Sequence, residues 1–270
     1  MRLQLFPSDS KRVEEGEPMQ DQFADIARDY DRMFPRDLEA DRLLFVSLFQ
    51  RHRVKTVLDC ACGTGIHVEI LAREGFDVTG SDASDGMLEV ARSRTSAAGL
   101  EVQLLKSTWA ELPDIVPGKY DAAICMGNSL PLEPDDEAAA ASLKGMYAML
   151  NAGGILVVAN ANADRQLEEK MRIKAVEPEP ECFLLSVRDY GSRRTTHRYF
   201  FIDAGGGEPS MRYYRFELMN LTADKMEALA SLVGIDDFAL HGDENLSTFS
   251  PDYSERLIFV AENPGKADGR

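Results

Sequence analysis

The spacing of apolar residues changes twice along the chain. In "DQFADIARDYDRMF", Phe23, Ile26, Ala27 and Tyr30 recur on one helical face. "DLEADRLLFVSLFQRHR" repeats that period with Leu38, Leu43, Leu44, Val46, Leu48 and Phe49, and Asp37 stands at a capping position. From "KTVLDCA" onward, short apolar runs alternate with helical patterns. "DVTGSDA", "VQLLKST", "YDAAICMG" and "ILVVANA" read as further strands, and "IHVEILAREG", "DGMLEVARSRTSAAG" and "DEAAAASLKGMYAMLNAGG" as the helices among them. Such repeated units predict a mainly parallel sheet covered on both faces.

After Ala163 the rhythm breaks. "CFLLSVRDY", "RTTHRYFFIDA" and "MRYYRFELMNL" are three strand-like runs with no helical pattern between them, which predicts an antiparallel patch. "TADKMEALASLVG" restores a helix, and "DFALHG" and "ERLIFVAEN" supply the last two strands. The predicted fold is α/β: a doubly wound, mainly parallel seven-stranded sheet carrying an antiparallel β insertion. The expected divisions are a flexible acidic arm (1–20), N-terminal helices forming a lid (21–56), a binding core (57–164), an insertion on the substrate side (165–221), and a closing helix with two strands (222–262).

Charge narrows the choice of partners. With 46 acidic and 30 basic residues the net charge is −16, a field that repels phosphate backbones and anionic membranes. Neither nucleic acid nor membrane is expected as a partner. Cys60, Cys62, Cys125 and Cys182 sit in apolar segments, the pattern of buried thiols in a reducing compartment. No metal-ligand spacing stands out. The N-terminus lacks the form of a signal peptide, and no apolar run approaches ~18 residues. A cytoplasmic location is expected, and the composition leaves room for a homo-oligomer.

The turn "CACGTG" between the first strand and its helix carries the chemistry. Gly63 and Gly65 let the backbone approach a ligand, whereas the third glycine of a dinucleotide turn is replaced by Val68. This disfavours a nicotinamide-dependent oxidoreductase. Asp82 ends the second strand, about twenty residues after the turn, where a carboxylate accepts bonds from ribose hydroxyls. Asp59 is a second acid beside the turn. A ribose without a pyrophosphate suits S-adenosylmethionine.

"VLDCACGTG" together with "GSDAS…ML" resembles the class I S-adenosylmethionine-dependent methyltransferases. "YDAAICMGNSLPLEPD" and "LNAGGILVVANANAD" are similar to the glycine N-methyltransferase-like branch, over about residues 22–262. The resemblance implies a Rossmann-like methyltransferase fold and S-adenosyl-L-methionine as cofactor. It places Ala61, Gly63 and Gly65 against the methionine moiety and ribose, Asp82 on the ribose hydroxyls, and Met87, Thr108 and Trp109 around adenine. Met126, Gly127, Asn128 and Ser129 would pass beneath the cofactor. Tyr30 and Phe34 would close over it, and Arg36 would meet its carboxylate.

The implied reaction is in-line methyl transfer to a small molecule, at an amine nitrogen, which requires alignment rather than a strong base. Asn128, Ser129 and Tyr199 are the candidate catalytic contacts, with His197 and Tyr214 also on insertion strands. An O-methyltransferase would need a base or a metal, for which His197 and His241 are the candidates. The branch's carboxylate-gripping arginine is replaced by Ala161, and an expected aromatic by Ala163. Arg165 is near enough in sequence to compensate. Glycine therefore fits poorly, and a larger or less anionic amine fits better. The alternative within the same pocket is intramolecular cyclisation or cleavage of the cofactor.

Overall fold

The computed structural model describes residue 21 and residues 23–205 and 208–265; the acidic arm expected at 1–20 lies outside them. The elements, in chain order, are α1 (Tyr30–Met33), α2 (Leu38–His52), β1 (Thr56–Asp59), α3 (Ile66–Arg73), β2 (Asp77–Asp82), α4 (Asp85–Ala97), β3 (Gln103–Lys106), α5 (Leu112–Ile115) and β4 (Tyr120–Cys125). There follow α6 (Asp136–Ala148), β5 (Leu150–Ala161), α7 (Ala163–Glu169), β6 (Ile173–Glu179), β7 (Cys182–Tyr190), β8 (Arg194–Asp203), β9 (Ser210–Met219), α8 (Ala223–Leu232), β10 (Phe238–His241) and β11 (Arg256–Glu262).

The main sheet has seven strands in the order β10-β11-β5-β4-β1-β2-β3. Strands β1 to β5 pair in parallel, while β11 runs antiparallel to β5 and β10 antiparallel to β11. Alternation of side chains sends neighbours to opposite faces. Leu58, Ala123, Cys125, Leu156 and Val158 pack with residues of α6 and α8, and Val57, Ala122, Ile124 and Val157 pack with residues of α2, α3 and α4. Both faces are apolar, so the strands read as near-continuous hydrophobic runs. The chain leaves β1 toward β2 on one side and crosses to β4 on the other, which opens a crevice at the carboxyl ends of β1 and β4.

A second sheet, β6-β7-β8-β9, is antiparallel throughout. The sequence suggested three strands there. The fourth, β6, is an exposed edge strand containing Pro178, with Ile173 largely in solvent. Edge strands need no buried alternation, so β6 carried no apolar signal. Helix α7 was also unexpected; Asn162 caps it, its Oδ1 accepting from Arg165 N.

The N-terminal segment departs from expectation as well. Only Tyr30–Met33 is helical, and residues 23–29 form turns. The Asp21 carboxylate accepts from Phe23 N and Ala24 N, and Ala24 presses on α4 so closely that a Cβ on Gly86 would fall 2.5 Å from its Cα. Those contacts replace a helical ladder. The segment buries Ile26, Ala27 and Met33 in one cluster with Met87 of α4 and with Cys182, Leu184, Phe201 and Phe216 of the second sheet. It is the filling between core and roof. All four cysteines are buried thiols, and no helix among the described residues is long and apolar enough to cross a membrane.

Candidate active site at the carboxyl edge of the sheet

The glycine turn joins Asp59, the last residue of β1, to Ile66, the first of α3. Gly63 has φ +53, and a Cβ there would meet nothing within 4 Å, so the turn leaves open space above it. Gly65 has φ +80, and its Cβ would fall 2.9 Å from Ala91 Cβ. The two glycines thus do different work: Gly63 opens the crevice, and Gly65 lets α3 lie against α4.

Asp82 closes the turn from the side. Its Oδ2 accepts from Gly63 N at 2.8 Å and its Oδ1 from Ser84 N at 2.9 Å. Burial raises its pKa even though those backbone donors favour the charged form. Asp59 is more deeply enclosed. Ala61 N donates to its Oδ1 at 3.3 Å, while Oδ2 is buried without a partner. Burial, reinforced by the charge of Asp82, pushes Asp59 up to about 7.

The N-terminal segment closes over these acids. Burial raises the Tyr30 pKa, opposed by the Arg36 charge beside it. The Arg36 guanidinium lies over Gly127, where an added Cβ would be 2.5 Å from Nη2, and Gly127 has φ +90. Tyr30, Arg36, Gly127, Asp59 and Asp82 are therefore brought together, as the sequence suggests. Sequence reasoning missed the anchors. Thr64 Oγ1 donates to Asp31 Oδ1 at 2.8 Å, Arg94 pairs with Asp31 and donates from Nε to Thr64 O at 2.9 Å, and Ser84 Oγ donates to Asp21 at 2.7 Å. On the roof side, Arg32 pairs with Asp203 and Arg212 with Asp29.

The remaining candidates divide. Trp109 Nε1 donates to Cys60 O at 2.8 Å, which fixes the ring beside the turn. Met87 is buried under the N-terminal segment, and Met126 belongs to the sheet core. Thr108 hydroxyl and backbone both bond to Glu111, as a helix cap. Asn128 has φ +68; its N donates to Ala159 O, and its Oδ1 accepts from Ala161 N at 3.1 Å. Ser129 Oγ bonds within its own turn to Met126 O.

A cleft runs beside Asn128 between sheet edge and roof. Ala161 and Ala163 line it below, and Tyr190, Thr195 and His197 above. Burial first, and the Arg188 charge second, push His197 down to about 4, so the ring is neutral near pH 7. Its Nδ1 lies 3.3 Å from Tyr199 Oη, and the Tyr199 ring meets Phe34 edge-on. Burial pushes Tyr199 up to about 12. Tyr214, partly buried, packs against the same cluster of roof and N-terminal residues. Arg165 does not stand in for the absent arginine: it pairs with Glu169 and Glu255.

A family model described as "Methyltransferase domain" matches residues 57–154. The glycine/sarcosine N-methyltransferase of Parasynechococcus marenigrum (strain WH8102) is 31% identical over 281 residues, covering 98% of this chain and 93% of that protein. The chain belongs to this methyltransferase family. It is an S-adenosylmethionine-dependent methyltransferase. The human glycine N-methyltransferase is 37% identical to it over 135 residues, 45% of this chain and 46% of that one. The methyltransferase also shares its fold with an S-adenosylmethionine-dependent methyltransferase from Clostridium acetobutylicum ATCC 824, at a TM-score of 0.77 and 16% identity over 90% of this chain and 99% of that one.

Proposed function

We propose that this methyltransferase transfers a methyl group to the nitrogen of a small amine held in the cleft beside Asn128. The observation that carries the reading is the pairing of an open glycine turn, flanked by Asp59 and Asp82, with a cleft lined by His197, whose ring is neutral near pH 7. Bound S-adenosylmethionine supplies a methyl group already activated on a sulfonium.

The residues present fit that cofactor. The open space above Gly63 would receive the ligand, and the Asp82 carboxylate would accept from its ribose hydroxyls. Asp59 Oδ2, an orphan acceptor, suits a cationic ligand group, since a buried carboxylate oxygen without a partner is costly. Arg36, over Gly127, suits a carboxylate. Tyr30 and the segment around it would exclude water, and Trp109 would bound the adenine side.

The protein's remaining task is alignment, since a neutral amine needs no proton removed before it attacks. Neutral His197 and Tyr199 do not repel an amine or compete with it as a base. Asn128, pinned to the end of β5, fixes one wall. Incubating the enzyme with cofactor and a panel of amines, and following S-adenosylhomocysteine, tests the reading. Amine-dependent release supports it, and cofactor loss that ignores every amine contradicts it.

A further inference from the structure

Two buried polar groups on β7 have no partner. Ser186 Oγ and Arg188 Nε are both enclosed, and neither makes a hydrogen bond. They are two residues apart, so they project from one face of the strand. That face is the inner one: Cys182 and Leu184, at the same parity, pack against the N-terminal segment. Across the strand pair, Ser186 stands opposite Tyr199 and Arg188 opposite His197. Tyr190, the next residue of that parity, lines the cleft with His197.

Among the described residues, no acid pairs with Arg188. Its neighbour Asp189 is on the other face, where it pairs with Arg172 and Arg198. The chain carries a net charge of −16, yet this half-buried guanidinium, its Nε enclosed, has no carboxylate partner among the described residues. An enclosed donor left unpaired is costly, and a charge-assisted bond is the strong remedy. The His197 ring senses the same charge, which helps to hold its pKa down.

We propose that Arg188, with Ser186 beside it, receives an anionic group on the acceptor. The acceptor is then a small amine that also carries a carboxylate or similar oxyanion. That group is gripped from the roof sheet instead of from the end of β5, where Ala161 offers no charge. The inference rests on the N-methyltransferase reading for its amine, but its anion site can be measured without turnover.

The test uses amine pairs that differ in one group, a carboxylate or its neutral amide. Each is titrated calorimetrically into the enzyme loaded with S-adenosylhomocysteine, using wild type, Arg188→Gln and Arg188→Lys. The carboxylate member is expected to bind wild type more tightly than its amide. R188Q should weaken it by about tenfold or more, R188K less, because lysine keeps the charge but not the fork. Affinity for S-adenosylhomocysteine itself should not change. Equal binding of both members to wild type, or an R188Q effect equal for both, overturns the proposal. The same panel is then assayed for turnover. Carboxylate-selective binding without methylation leaves the anion site standing and removes the N-methyltransferase reading.

Discussion

Gly63 N–H donates to Asp82 Oδ2 across 2.8 Å, so the glycine turn and the acid ending β2 form one unit. The same carboxylate takes Ser84 N–H through Oδ1, and Ser84 caps α4. Asp82 therefore shapes the crevice from within.

Asp82→Asn keeps the size of the side chain and removes its charge. We expect S-adenosylhomocysteine affinity to fall by roughly 10- to 100-fold, from ~1–3 kcal/mol of lost bonding to a charged acceptor. The melting temperature should also drop, because one backbone donor at the turn loses its acceptor. Calorimetry and a thermal melt read the two effects separately, and unchanged affinity would remove the ribose role.

Gly65→Ala tests the claim that this glycine packs helices rather than touching ligand. Its φ of +80 and the 2.9 Å approach to Ala91 Cβ should together cost ~1–3 kcal/mol of stability. Adding Ala91→Gly relieves the steric share and leaves the backbone share, so partial recovery in urea denaturation is expected. No recovery would mean that the contact with α4 is unimportant.

His197 makes stability depend on pH. An unfolded histidine titrates near 6.5, whereas the native ring titrates at about 4. Between those values the unfolded chain binds a proton that the native state does not, so stability falls as pH is lowered through that window. The loss reaches about 3 kcal/mol at its lower end. His197→Gln should flatten the slope measured by urea denaturation between pH 6.5 and 4. Arg188→Gln should reduce it, since the neighbouring charge is one cause of the depression.

Much of this architecture is legible in the sequence because the main sheet is buried on both faces. Val57 and Leu58, or Ile124 and Cys125, are adjacent apolar residues that pack on opposite sides, and such runs mark strands directly. Asp37 and Gly65 announce helix starts, and Gly63 with Asp82 marks the crevice at the carboxyl edge of the sheet. β6 was illegible because an exposed edge strand needs no alternation. The turns of residues 23–29 were illegible because the periodicity of Phe23, Ile26 and Ala27 equally fits packing between two layers. The division of labour between Gly63 and Gly65 depends on Ala91, which is distant in sequence. Arg188 looked like an ordinary strand residue until the pairing of Asp189 with Arg172 and Arg198 left it without an acid.

The most direct test of the central claim follows the methyl group itself. The enzyme is incubated with cofactor carrying an isotopically labelled methyl group and an amine panel that includes carboxylate-bearing members, and all products are resolved by mass. The account predicts labelled methyl on an amine nitrogen, in one-to-one yield with S-adenosylhomocysteine. Label retained in fragments of the cofactor, with every amine unchanged, would contradict it.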